Sequence, residues 1–290
     1  MLSSNVPELR LSLGPMPEPR ELAGGDVQVW RDNSGVPCAY SYTHVGRYCV
    51  HLPGVASFSY RPGEDWVDAA GYEHGDIYLV RDSYRRVVLP LLMPALGREV
   101  LHASAVLLPE GVIGLCAPSG TGKSTTAYGL ARLGYPLWAD DVLAWESEDI
   151  SEPQVSAPSA VSMPFSIRLS SEAQSYFEES GQGTAAPLDL PLPPTAPLRA
   201  LCLLERTMLG EEARAVRLTP AEAFPAILAH AYFFSMQDEE RIRRMLENYL
   251  TLGSQVPVFR VSAGSGLGQL PAALDCILGV VRARAEAVTA

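Results

Sequence analysis

Apolar positions change their period along this chain. Between residues 27 and 85 they come in short runs, VQVW, a longer stretch over 39–50, ASFSY and DIYLV, separated by Asn33-Ser34-Gly35 and Pro62-Gly63. Short β-type runs bounded by turn signals predict a small, mostly antiparallel β module. Residues 1–25 are punctuated by proline and glutamate and are expected to fray. Segment 89–96 reads as a helix interrupted by Pro90 and Pro94, leading into a strand over 101–108.

From there the pattern becomes strand, loop, helix, strand. Residues 112–116 form an apolar run, 117–122 a loop, and 123–133 a helix stopped by Gly134; 137–145 is apolar again. That order predicts an α/β fold with a parallel sheet. Residues 151–198 are rich in Ser, Pro and Ala and read as a mobile insert with a short element at 167–169. A strand at 198–204 follows. Thr219-Pro220-Ala221-Glu222 then has the form of a capping box opening a helix. A helix over 238–252, a strand over 256–261 and a last helix over 270–285 complete the expectation. The domain division expected is 1–88 for the β-rich N-terminal module and 89–290 for the α/β domain, with 151–198 inserted in it.

Composition narrows the function. With 47% apolar and 19% charged residues, the chain can fill a core and is not of the disordered type. A formal charge of −11 argues against a nucleic-acid partner, which needs clustered Lys and Arg to neutralise phosphates. The best membrane candidate, 87–97, is too short to span and contains two prolines, and no secretory start is visible, so a cytoplasmic protein off the membrane is expected. The five cysteines have neither metal-ligand nor redox spacing and read as reduced thiols.

The informative stretch is APSGTGKST, 117–125. Gly120 and Gly122 allow successive N–H groups to turn inward as an anion nest, and the following helix adds its positive end. Ser119, Gly120, Thr121, Gly122, Lys123, Ser124 and Thr125 would then cradle the phosphates of ATP. Lys123 would reach the β- and γ-phosphates, and Ser124 would offer its hydroxyl to Mg²⁺. Ala117 stands where the pattern starts with glycine. Asp140-Asp141 ends an apolar strand, where ligands of open α/β sheets bind. One carboxylate would hold Mg²⁺ and the other accept a proton from an attacking hydroxyl, or the pair simply forms a turn. His102 alone is ambiguous. The stretch from Val261 to Gly268, with Gly264, Gly266 and Gly268, imitates a dinucleotide fingerprint but has the wrong spacing and reads as a loop and helix start.

Three features together, Leu101-His102-Ala103-Ser104, PSGTGKST and WADD, resemble the HPr kinase/phosphorylase group of bacterial serine kinases over 101–146. The resemblance implies a P-loop HPr-kinase/carboxykinase-like core and a kinase needing ATP and Mg²⁺. It implies catalysis by His102, Lys123, Asp140 and Asp141, with His102 bonded to the base carboxylate. In the assignment drawn from it, Asp140 is the base and Asp141 joins Ser124 on Mg²⁺, although the two aspartates can exchange roles. A later arginine of that family would correspond to Arg206 or Arg168. The N-terminal module and Pro-rich insert look more like the HPr-kinase-related proteins of lasso-peptide biosynthesis. The acceptor implied is a Ser/Thr hydroxyl of a peptide or protein, such as a lasso-peptide precursor, and a homo-oligomer is left open. Two rivals remain: a nucleotide-gated binding module without acceptor kinase activity, and a carboxykinase-like lyase.

Overall fold

The computed structural model describes residues 7–12, 27–32, 34–71, 76–147, 158–179, 191–208, 211–232 and 239–289, the last seven by backbone alone. It is a mixed α/β protein with two sheets, and its contacts divide it into two compact units. One unit comprises Met1–Arg98 with Phe233–Asp238, and the other Glu99–Tyr232 with Glu239–Ala290. The junction therefore falls at 98/99 rather than 88/89, because the helical segment beginning at Leu89 continues the helices before it.

The first unit is built on a six-stranded sheet. Its strands are β1 (Glu8–Ser12), β2 (Gln28–Arg31), β3 (Pro37–His44), β4 (Arg47–Leu52), β5 (Ala56–Tyr60) and β6 (Trp66–Gly71), in the order β1-β6-β5-β4-β3-β2. The pairs from β2 to β6 are antiparallel and β1 joins β6 in parallel. Residues 8–12, expected to fray, are thus paired; residues 1–6 and 13–26 lie outside the described set.

DIYLV is helical, contrary to the strand expected. In α1 (Ile77–Ser83) the Asp76 side chain accepts from the Tyr78 N–H as an N-cap. Buried Val80, Tyr84 and Val88 recur every four residues, a helical period that a five-residue window conceals. A π turn at Tyr84–Val88, α2 (Leu89–Leu92) and a 3₁₀ turn at Met93–Leu96 continue it, and Pro90 and Pro94 each fall at the second residue of a segment where the hydrogen-bond pattern changes.

The second unit carries a nine-stranded sheet. Its strands begin with β7 (Glu99–Leu101), β8 (Ala103–Leu108) and β9 (Gly111–Cys116), before α3 (Lys123–Arg132), β10 (Leu137–Ala139), β11 (Leu143–Glu146), β12 (Ser159–Val161) and α4 (Ser171–Glu179). Then come β13 (Thr195–Thr207), β14 (Arg214–Arg217), α5 (Pro220–Leu228), α6 (Glu239–Gln255), β15 (Val258–Gly264) and α7 (Leu270–Thr289). The order is β10-β8-β9-β13-β12-β11-β7, with β15 on β13 and β14 on β15.

The sheet is mixed, not parallel. Strands β9, β13 and β15 run parallel, whereas β8 is antiparallel to both β9 and β10. Strand β10 therefore points the same way as β9, one strand removed. The described parts of 151–198 also differ from a mobile insert. Strand β12 pairs with β11 and β13, and α4 buries Ala173 and Phe177, an i,i+4 apolar pair; 167–169 has no regular element. Residues 151–157 and 180–190 lie outside the described set. The capping box at Thr219 forms as expected, with Glu222 returning the bond.

The core of this unit packs Ile113, Leu115, Leu130, Cys202 and Ile277, all fully buried, between sheet and helices. Burying such side chains contributes about 1.5–3 kcal/mol each. Among the described residues no helix is long and apolar enough to cross a membrane.

Candidate functional site

Register alone brings three segments to one edge of the large sheet. Cys116, the last residue of β9, lies opposite Ala103, the first of β8, and Ala105 lies opposite Ala139, the last of β10. The residues just beyond those ends are the loop at 117–122, His102, and Asp140-Asp141. The C-terminal ends of β13 and β15 reach the same edge, because both run parallel to β9.

The loop has the geometry of an anion cradle. Gly120 (φ +79°) and Gly122 (φ +104°) adopt a backbone that L side chains avoid, and the Thr121 N–H donates to Pro118 O at 3.3 Å. Gly122 is the N-cap of α3, and no side chain caps that helix. First-turn N–H groups of a helix have no intrahelical acceptors, so these donors and the positive end of the helix are directed out of the loop. Ser119 and Gly120 are exposed there, while Thr121, Gly122, Ser124 and Thr125 are half-buried.

Lys123 is the only lysine in the chain. Its ammonium is buried and donates to Ala117 O (2.8 Å) and to His102 Nε2 (3.0 Å). Burial pulls its pKa below the ordinary value, opposed by Asp141, Cys116 and Asp140. Because Nε2 accepts from an ammonium, the His102 proton sits on Nδ1. That N–H faces Asp141, at 3.0 Å from its carbonyl and 3.2 Å from Oδ1.

The two aspartates are not equivalent. Asp140 is buried; its Oδ1 accepts from Ser104 Oγ (2.7 Å) and its Oδ2 from the Arg168 N–H (3.2 Å). Asp141 has a 44% exposed side chain and a backbone φ of +71°. Such a conformation in a residue other than glycine costs roughly 1–3 kcal/mol and re-aims the side chain at the strand end. His102 thus engages Asp141, not Asp140, a reversal of the pairing expected. The break between β10 and β11 turns one carboxylate inward and leaves the other beside the loop.

Arg206 reaches the site from the end of β13. Its Nε donates to Thr121 O at 2.7 Å, and Nη1 lies 3.4 Å from Gly264 O. A Cβ on Gly122 would meet its Nη2 at 2.5 Å, so the guanidinium braces the underside of the loop. Arg168 contributes its backbone N–H to Asp140, a contact the sequence did not suggest. Ser104 was also missed as a partner of Asp140.

Tyr232 and His230 were missed as well, being remote in sequence. After α5 the chain returns to pair with the β7 edge: His102 N–H donates to His230 O (2.7 Å), Tyr232 N–H donates to Val100 O (3.0 Å), and Leu101 bridges Ala231. The Tyr232 hydroxyl lies 3.5 Å from His102 Nδ1. A cleft of about 440 Å³ opens here, lined by His102, Pro118 and Ala229–Tyr232. Burial, then the neighbouring His102 and Lys123, hold the His230 pKa below its ordinary value.

The donor set fits a hard cation beside phosphate. Ser124 supplies a hydroxyl and Asp140 and Asp141 carboxylates, and the described residues contain no cluster of three or more His, Cys, Asp or Glu able to hold a metal. Mg²⁺ is suited to such a site because it keeps waters and phosphate oxygens as most of its ligands.

The fold and this edge define a mixed α/β protein with an uncapped, glycine-flanked helix N-terminus beside a His–Asp pair. No protein-family model and no curated protein matches the chain. Among solved structures it is similar to the HPr(Ser) kinase/phosphatase from Coxiella burnetii. The identity is 12% over 64% of this chain and 98% of that one, with a TM-score of 0.35.

Proposed function

We propose that this chain is a Mg·ATP-dependent kinase that phosphorylates a Ser-type hydroxyl of a peptide or protein. The lasso-peptide precursor suggested by the sequence resemblance is the acceptor to try first. One observation carries the proposal: the sole lysine opens an uncapped helix and touches the histidine that faces Asp141.

In this reading the loop amides of 119–125 and the Lys123 ammonium bind the phosphates. For Lys123 this means leaving Ala117 O and His102 Nε2. Ser124 and Asp140 would hold Mg²⁺, which supplies charge neutralisation at the phosphate oxygens. Asp141 takes the proton of the acceptor hydroxyl as its oxygen bonds to the γ-phosphorus, and the bond from that phosphorus to the β,γ-bridging oxygen breaks. His102 orients Asp141 through Nδ1–H. The roles first given to Asp140 and Asp141 are thereby exchanged, because only Asp141 is both accessible and paired with His102. Arg206 keeps the loop in shape through Thr121 O.

The test uses the single lysine. Amine acetylation at Lys123, followed by mass spectrometry with and without Mg·ATP, should slow severalfold on nucleotide addition. Incubation with Mg·ATP and candidate Ser peptides should add one phosphate to the acceptor, and Asp141→Asn should abolish that transfer while keeping the protection. An acetylation rate indifferent to Mg·ATP would remove the basis of the proposal.

A further inference from the structure

The cleft beside His102 is lined by none of residues 119–125, yet it shares His102 with the phosphate loop. We propose that it is the acceptor subsite, and that it selects an uncharged alcohol flanked by small apolar groups. This rests on the kinase reading and names the substrate class of the same site.

Position comes first. The lining combines Pro118, at the start of the phosphate loop, with His102 and the segment Ala229–Tyr232. An occupant therefore meets the imidazole whose Nε2 contacts Lys123 of the loop and whose Nδ1 faces the Asp141 carboxylate. The wall is fixed by the backbone pairing of His230 and Tyr232 to 100–102, so it is built into the fold. Its volume of about 440 Å³ lies within the range of sites for small ligands, roughly 300–1,000 Å³.

The chemistry of the walls decides the occupant. Pro118, Ala229 and Ala231 are small and apolar. His102, His230 and Tyr232 offer hydrogen bonds, and burial, then the neighbouring His102 and Lys123, disfavour the charged form of His230. The nearby carboxylates and a net charge of −11 disfavour an anionic acceptor. Lys123, the one ammonium, is committed to the loop and the phosphates. An alcohol on an apolar flank satisfies the polar floor and covers the apolar walls; an acidic flank does neither. His230 and Tyr232 are thus specificity-determining residues.

The test separates this from the kinase reading. Protein loaded with Mg²⁺ and the β,γ-imido analogue of ATP is titrated calorimetrically with two blocked peptides, Ala-Leu-Ser-Ala-Leu and Ala-Asp-Ser-Ala-Asp. The apolar peptide should bind at least about tenfold more tightly, corresponding to about 1.4 kcal/mol. Ala229→Trp, at the exposed rim, should weaken that peptide by at least about tenfold while leaving the analogue's affinity within about twofold. Ala229→Asp adds charge with little bulk and should do the same if the tryptophan variant does not fold. Equal binding of the two peptides, binding of neither at millimolar concentration, or indifference to both substitutions would overturn the assignment. If the parent does not bind the analogue, the kinase reading falls instead. The peptide comparison is then made without nucleotide and still decides the cleft.

Discussion

Gly122→Ala tests whether the loop geometry described here carries the function. Gly122 sits at φ +104° and ψ +25°, and an L residue in a left-handed conformation costs roughly 1–2 kcal/mol. The added Cβ would also lie 2.5 Å from Arg206 Nη2, closer than any real contact. The guanidinium is the end of a flexible, exposed side chain, so it moves rather than the helix. Moving it breaks the Arg206 Nε bond to Thr121 O, which contributes about 0.5–1.5 kcal/mol. The sum is about 1.5–3.5 kcal/mol, read as a lower urea midpoint with unchanged m. Turning the first amides of α3 should also weaken binding of the ATP analogue by about tenfold or more, the loss of one charge-assisted hydrogen bond. Arg206→Ala in the Gly122→Ala background removes the steric component but not the backbone one. The double variant should therefore lose about 1 kcal/mol less than the sum of the singles. Gly122→Ala within about 0.5 kcal/mol of the parent, or strict additivity with Arg206→Ala, would refute the placement of the guanidinium under the loop.

Three further outcomes are expected. Glu99 is buried and accepts from Arg241 (2.7 Å) and Asn248 (2.9 Å), so Glu99→Ala should cost about 3–5 kcal/mol in urea unfolding by leaving the arginine without its carboxylate. Burial chiefly holds the His230 pKa below 6.5; the folded state then binds fewer protons than the unfolded one, and stability falls as pH drops below 6.5. His230→Gln should flatten that acid limb, measured as thermal midpoint against pH between about 6.5 and 5. Burial pushes the thiols of Cys116 and Cys202 up to about 12 and that of Cys49 to about 11, whereas Cys38 is exposed. A disulfide reagent at neutral pH should therefore modify native protein fastest at Cys38, with Cys116 and Cys202 reacting only after denaturation.

What could be read from the sequence follows the range over which each signal acts. The loop at 117–125, α3 and the Thr219 capping box are local: their glycines, caps and spacing act within a few residues, and all three appear where expected. Sheet order is not local. The antiparallel turn from β8 to β9 is itself legible, since Pro109-Glu110 is too short a link for a parallel crossover, but nothing within 101–116 shows that β10 joins the outer side of β8, which places β8 between the two strands of the expected parallel unit. DIYLV failed for a different reason. Its apolar residues satisfy either period until Tyr84 and Val88 are counted with Val80, and the window ended too early. His230 and Tyr232 reach His102 only because the chain after α5 laces onto β7, a tertiary pairing without a residue-level signature.

The interruptions of the strands explain how the site forms. Continuous strands over 101–108 and 137–145 would point alternate residues to opposite faces, leaving His102 and Asp141 as ordinary sheet residues. Instead, the chain leaves β7 at His102 and re-enters the sheet as β8, next to β9 rather than β11. It likewise leaves β10 at Asp140 and returns as β11 on the far side of β12 and β13. Each crossing spends its residues at one edge, the edge where β9 releases the loop at 117–122. The backbone there is then stabilised by side chains: Ser104 and the Arg168 amide hold Asp140, while the His102 N–H goes to His230 O. That division explains why the inward aspartate has two hydrogen-bond donors and the outward one a strained φ. Asp140 secures the crossing, and the strain at Asp141 keeps a carboxylate facing His102.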